Sequence, residues 1–106
     1  MNYKELDIIC KDVNVLMEEI VELFNPEFYF HTNSDPNNVR VFIFEEFSFI
    51  QGIYSATVII KYDGGNKYHI EIITSGSICG EAETLIVEEI YNFFFEKTEL
   101  LQKNIL

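Results

Sequence analysis

Residues 52–76 read GIYSATVIIKYDGGNKYHIEIITSG, two apolar runs either side of Asp63-Gly64-Gly65-Asn66. How those runs pair decides the fold. A three-residue loop at Asp63-Gly64-Gly65 sets Tyr62 against Asn66, Ile60 against Tyr68, Val58 against Ile70 and Ala56 against Ile72, so one face collects the apolar side chains. A two-residue loop would oppose Ile60 to His69 and Val58 to Glu71, which buries charge or exposes the core. The three-residue loop is therefore expected, with a glycine in its left-handed position. The second face then carries Ile53, Ser55, Thr57, Ile59, Lys61, His69, Glu71 and Ile73 and is mixed, mostly polar near the turn.

Upstream, FYFHT (28–32) and VRVFIFEEF (39–47) flank NSDPNN, a spacer of turn-forming residues, and read as two more strands. VFIF is apolar on both alternating sets, which predicts a strand covered on both faces. The chain ends are helical in pattern. Over residues 3–24, Leu6, Ile9, Cys10, Val13, Leu16, Met17, Ile20, Leu23 and Phe24 recur at i, i+3, i+4, i+7 spacing, with Lys4, Lys11, Glu18, Glu22, Ile8 and Val15 on the opposite face. Asn25-Pro26 stops that helix, because the residue before proline avoids helical angles. A second helix is predicted over residues 81–103, with Ile86, Val87, Ile90, Tyr91, Phe93, Phe94, Leu100 and Leu101 on its apolar arc and a tail that frays after it. The expected architecture is a single two-layer α+β domain over residues 1–106. It has an antiparallel meander of about four strands flanked by N- and C-terminal helices, in the order α-β-β-β-β-α.

The composition supports such a domain: 48% of the residues are hydrophobic, with ten Phe and six Tyr. Eighteen Asp and Glu against seven Lys and Arg give a net charge of −11, which repels nucleic acid and anionic membranes and favours a basic partner. Two cysteines, an acidic start and no apolar run near the ~20 residues of a membrane span predict a soluble cytoplasmic protein with free thiols. Cys10 is expected in the core and Cys79 near the surface.

The bend ITSGSICGEAET, residues 73–84, invites a chemical reading and does not sustain one. It lacks the phosphate-loop pattern and any lysine, and Glu81 and Glu83 already occupy the first turn of the helix. Ser75 and Ser77 are not in a Gly-x-Ser-x-Gly elbow, and a lowered pKa for Cys79 is opposed by the same two glutamates. The stretch reads as strand exit, small-residue bend and helix cap, with Ser77 or Gly80 at the cap. No pair among His31, His69, Cys79 and Cys10 has zinc-motif spacing, so no metal, cofactor or catalytic residue is assigned. His69 reads as a partly exposed sheet residue and His31 as a strand end. Glu45 and Glu46, adjacent on a strand, point to opposite faces and form no acid-base pair.

Several fragments carry a resemblance: Val39-Arg40-Val41, Glu46-Phe47-Ser48-Phe49, Gly52, Ser55, Val58 and Ile73-Thr74-Ser75-Gly76-Ser77. Over about Val39 to Ser77 the chain resembles a family of small bacterial proteins classed as a domain of unknown function. It departs from the family at Ile53-Tyr54 and in its acidic, Phe-rich C-terminal helix. The resemblance implies an α+β fold and transfers no functional residue.

Two functions of different class follow from the residues. The first is a non-enzymatic interaction protein, of inhibitor or immunity type by analogy, whose partner is a basic protein. Its contact surface would be the outer face of the C-terminal helix, where Leu85 and Phe95 stand among Glu88, Glu89, Asn92, Glu96 and Glu99. The alternative is a small-ligand or enzymatic domain with a site at the bend, residues 75–80, near Ser75, Ser77 and Cys79. A homodimer is also expected, because Phe42, Ile43, Phe44, Ile53, Ile59 and Ile73 offer more apolar surface than two helices on one sheet face would cover.

Overall fold

The computed structural model of the chain describes residues 2–32, 38–48, 52–76 and 81–105. Its elements are β1 (Asn2–Ile9), α1 (Val13–Phe24), β2 (Phe28–His31), β3 (Val39–Ser48), β4 (Gly52–Tyr62), β5 (Lys67–Ser75) and α2 (Glu81–Ile105). The strands form one antiparallel sheet in the order β1-β5-β4-β3-β2. The α+β class and the meander of β2 to β5 agree with the sequence reading; the strand number does not. The described residues form five strands, because residues 2–9 form β1 on the open edge of β5 instead of the first two turns of a helix. The order is thus β-α-β-β-β-β-α.

The physical reason is visible in Ile8, a misfit in the helical pattern. As a strand residue it lies opposite Tyr68 and is 2% exposed. The helix starts where a capping residue allows it: the Asp12 carboxylate accepts hydrogen bonds from the Asn14 and Val15 N–H groups at 3.2 and 3.3 Å, satisfying donors that the first helical turn leaves free. It ends at Phe24, with Asn25 in the left-handed region (φ 48°) before Pro26.

The β4–β5 register also differs from expectation. Tyr62 lies opposite Tyr68, not Asn66, and the core-face pairs are Ile60 with Ile70, Val58 with Ile72 and Ala56 with Thr74. Asp63 N–H donates to the Lys67 carbonyl and Lys67 N–H to the Gly64 carbonyl, both at 2.9 Å. Gly64 and Gly65 both take positive φ (92° and 57°), so the turn is one position later than expected. Because the pairing moves by two residues, every side chain keeps the face predicted for it.

Both helices pack on one face of the sheet. The buried cluster joins Ile8, Phe42, Phe44, Val58, Ile60, Ile70 and Ile72 of the strands to Leu16, Met17 and Ile20 of α1 and Val87, Ile90 and Phe94 of α2. Phe24 stands edge-on to Phe44 at 5.8 Å and to Phe93 at 5.6 Å, which ties α1 to the sheet and to α2. Cys10 is buried, as expected, and burial pushes its thiol pKa up; Cys79 lies outside the described residues. The Arg40 side chain is buried at the end of this face. Its Nη1 donates to Asn38 Oδ1 at 3.3 Å, while its Nε has no hydrogen-bond partner among the described residues.

Ile8 and Val15, which a single helix would place on the same outer face, now have opposite environments: Val15 is 48% exposed. Ile8→Ala should cost about 2–5 kcal/mol by removing buried volume, and Val15→Ala should stay within about 0.5 kcal/mol of the parent. Denaturant unfolding of both variants measures this, and equal effects would contradict β1.

Candidate functional surfaces

The face of the sheet away from the helices is organised in rows by the strand registers. One row runs Phe28, Ile43, Thr57, Ile73, Tyr3; the next runs Phe30, Val41, Ile59, Glu71, Glu5; a third carries Val39, Lys61, His69, Asp7. The apolar residues gather on β2, β3 and β4 and the charged ones on β5 and β1. Phe28 and Phe30 are about half exposed, and Val41, Ile43, Ile59 and Ile73 are partly so. The sequence predicts cover on both sides of VFIF, but among the described residues the fold supplies it on the Phe42 and Phe44 side only.

In the charged region His69 is the centre. Its Nδ1 lies 2.7 Å from Asp7 Oδ1 and its Nε2 3.2 Å from Glu5 Oε2. A carboxylate oxygen only accepts, so two carboxylates facing the two ring nitrogens favour the protonated imidazole, which can donate to both. The Asp7 hydrogen bond raises the His69 pKa above its ordinary value, against partial burial, and Glu5 adds to the rise. Lys61 Nζ pairs with Glu71 Oε1 at 3.1 Å. The Tyr3 hydroxyl donates to Glu5 Oε2 at 2.7 Å, and its pKa is pushed up to about 12, chiefly by that bond. Glu5, His69 and Glu71 each offer a donor atom within 4.8 Å of the others, but a metal would have to displace a proton that Asp7 and Glu5 stabilise. His69 is the partly exposed sheet residue expected of it. The cluster around it was not foreseen, since Glu5 and Asp7 reach it only through β1.

The second surface is the outer side of α2. Leu85 is 71% and Phe95 51% exposed, and Glu89, Asn92 and Glu96 are exposed with them. Glu88 pairs with Lys4 of β1, whose ammonium also sits 4.6 Å from the Tyr91 ring centroid. Phe95 stacks on Tyr91, at 6.3 Å between centroids. Glu99 belongs to α2, and its side chain is outside the described residues. On the α1 side, Leu23, Phe24, Glu89, Asn92, Phe93 and Glu96 line an open cleft of about 350 Å³. Sequence periodicity found the stripe on α2; it did not find the cleft, which depends on how α1 lies beside it.

At the bend, Ser75 ends β5 and is exposed, and Gly76 follows with φ 102°. Ser77, Cys79 and Gly80 lie outside the described residues. His31 ends β2 and donates from Nε2 to Asn38 Oδ1 at 3.0 Å. No helix among the described residues is long and apolar enough to cross a membrane. Comparison of the chain with protein-family models, curated proteins and solved structures finds no match.

The His69 cluster makes stability depend on pH with a definite sign. A raised folded-state pKa contributes stability that is fully present below the ordinary histidine value of about 6.5 and is lost as pH rises through the higher folded value. NMR titration should show the His69 ring protonated above that ordinary value, and Asp7→Asn should lower its midpoint. A His69 midpoint at or below the ordinary value would contradict the arrangement.

Proposed function

We propose that the protein is a non-enzymatic interaction protein that engages a basic protein partner through the outer face of α2. The observation that carries this reading is the exposure of Leu85 and Phe95 among carboxylates, next to a cleft floored by Phe24 and Phe93 and edged by Glu89 and Glu96. A face that serves only solvation gains nothing from a leucine 71% exposed. Aromatic and aliphatic anchors inside a charged rim are how interfaces concentrate binding energy. The rim carboxylates draw in a basic surface and make its arrival salt-sensitive.

Within the surface the residues divide by role. Leu85 and the cleft supply apolar contact, and Phe95, stacked on Tyr91, stands at the β1 side of the stripe. Glu89 and Glu96 face the cleft and carry no ion pair among the described residues, so they can meet lysine or arginine, while Asn92 between them offers a neutral donor and acceptor. Glu88 is held by Lys4, so it contributes to the field and less to direct pairing. An inhibitor or immunity role is the biological setting this chemistry suits, and cytoplasmic residence follows the sequence reading.

Affinity capture from cell extract tests the reading when the parent is run beside Phe95→Ala and a Glu89→Gln, Glu96→Gln double variant. The expected result is a basic protein retained by the parent, released by moderate salt and reduced at least ten-fold with both variants, while their melting temperatures stay near that of the parent. Equal retention by parent and both variants would refute the assignment.

A further inference from the structure

We propose that a second copy of this chain covers the open sheet face, sheet against sheet, in a two-fold symmetric dimer with both helical layers turned outward. The face needs cover: Phe28, Phe30, Val41, Ile43 and Ile59 form an apolar area across β2 to β4, with Ile73 beyond Thr57 on β5, and the two helices are spent on the opposite side. A contiguous patch of this kind marks an interface.

Charge selects the occupant. The segments α1 and α2 hold nine glutamates against two lysines. The open face is nearer to balance: Glu5, Asp7, Glu45 and Glu71 stand against Lys61, Lys67 and His69, whose protonated form the Asp7 and Glu5 carboxylates favour. Two chains of net charge −11 repel each other least where they meet by this face. The same net charge turns away nucleic acid and anionic lipid. A basic protein would be drawn to the glutamates of the helices and not to the balanced sheet.

Size fits as well. Five strands about 4.8 Å apart, about 13 Å long for the four-residue β2 and about 26–36 Å for the others, present roughly 670 Å², within the ~600–1,000 Å² per partner of a stable interface. Sheets that stack face to face lie about 10 Å apart with interdigitated side chains, and a single patch that meets its own copy is the commonest closed assembly. This inference does not rest on partner binding by α2, which lies on the other side of the molecule.

Sedimentation equilibrium at tens of micromolar tests it. The parent should give twice the 12.4 kDa chain mass, and Ile43→Lys and Phe30→Lys should each weaken association at least ten-fold. Phe30 is 48% exposed and outside the buried cluster, so that variant folds even where Ile43→Lys does not. Leu85→Lys, on the helical side, should leave the dimer intact. A monomeric parent would overturn the proposal, and so would a dimer that resists both sheet variants or is lost with Leu85→Lys.

Discussion

The burial of one face of the β3-β4-β5 sheet is the constraint from which the rest of the structure follows. Phe42, Val58, Ile60, Ile70 and Ile72 are each at most 1% exposed, and among the described residues the two helices seal them. A helix offers one apolar stripe, so α1 and α2 must lie side by side over the sheet, meeting through Phe24 and Phe93 and the Lys97–Glu19 pair at 2.6 Å. The outward sides of both helices then receive the glutamates. Burying apolar area is worth roughly 25 cal/mol per Å², far more than the exposed ion pairs at the margins. Packing therefore sets the layers, and charge decorates them.

From that arrangement come two surfaces of different chemistry. The helical layer is acidic, with apolar anchors at Leu85 and Phe95 and a cleft beside α1. The open sheet is apolar on β2 to β4, and its charged end is internally compensated around His69. The compensation has a structural use of its own. β1 is an edge strand, and the Asp7 and Glu5 contacts with His69 reinforce its pairing with β5, while Lys4 ties it to α2. Charged side chains on such an edge also discourage pairing with a further strand.

How much of this the sequence discloses depends on whether the signal is local. The outward placement of Leu85, Glu89, Asn92, Phe95 and Glu96 on α2 is local and legible in the periodicity, and the stop at Asn25-Pro26 is local and legible in the proline. The alternation of faces in β4 and β5 is local too, and it survives a turn placed one position early, since a two-residue slip preserves the face. β1 is different. Leu6, Ile9 and Cys10 satisfy a helical pattern while Leu6 and Ile8 satisfy a strand pattern, and the pairing that decides between them joins Leu6 to the distant Ile70. With β1 misread, Glu5 and Asp7 could not be placed beside His69. The Asp12 cap was the available signal, since a capping residue there starts the helix at Val13.

The central claim is that both helices share one sheet face and leave the other open. Isotope-edited NOE spectra test it directly. They should show contacts from the Phe24 ring to Phe44 and Phe93 and from α2 to β1 and β5, with none from either helix to Ile43, Ile59 or Ile73. NOEs linking α1 or α2 to any of those three isoleucines would contradict it.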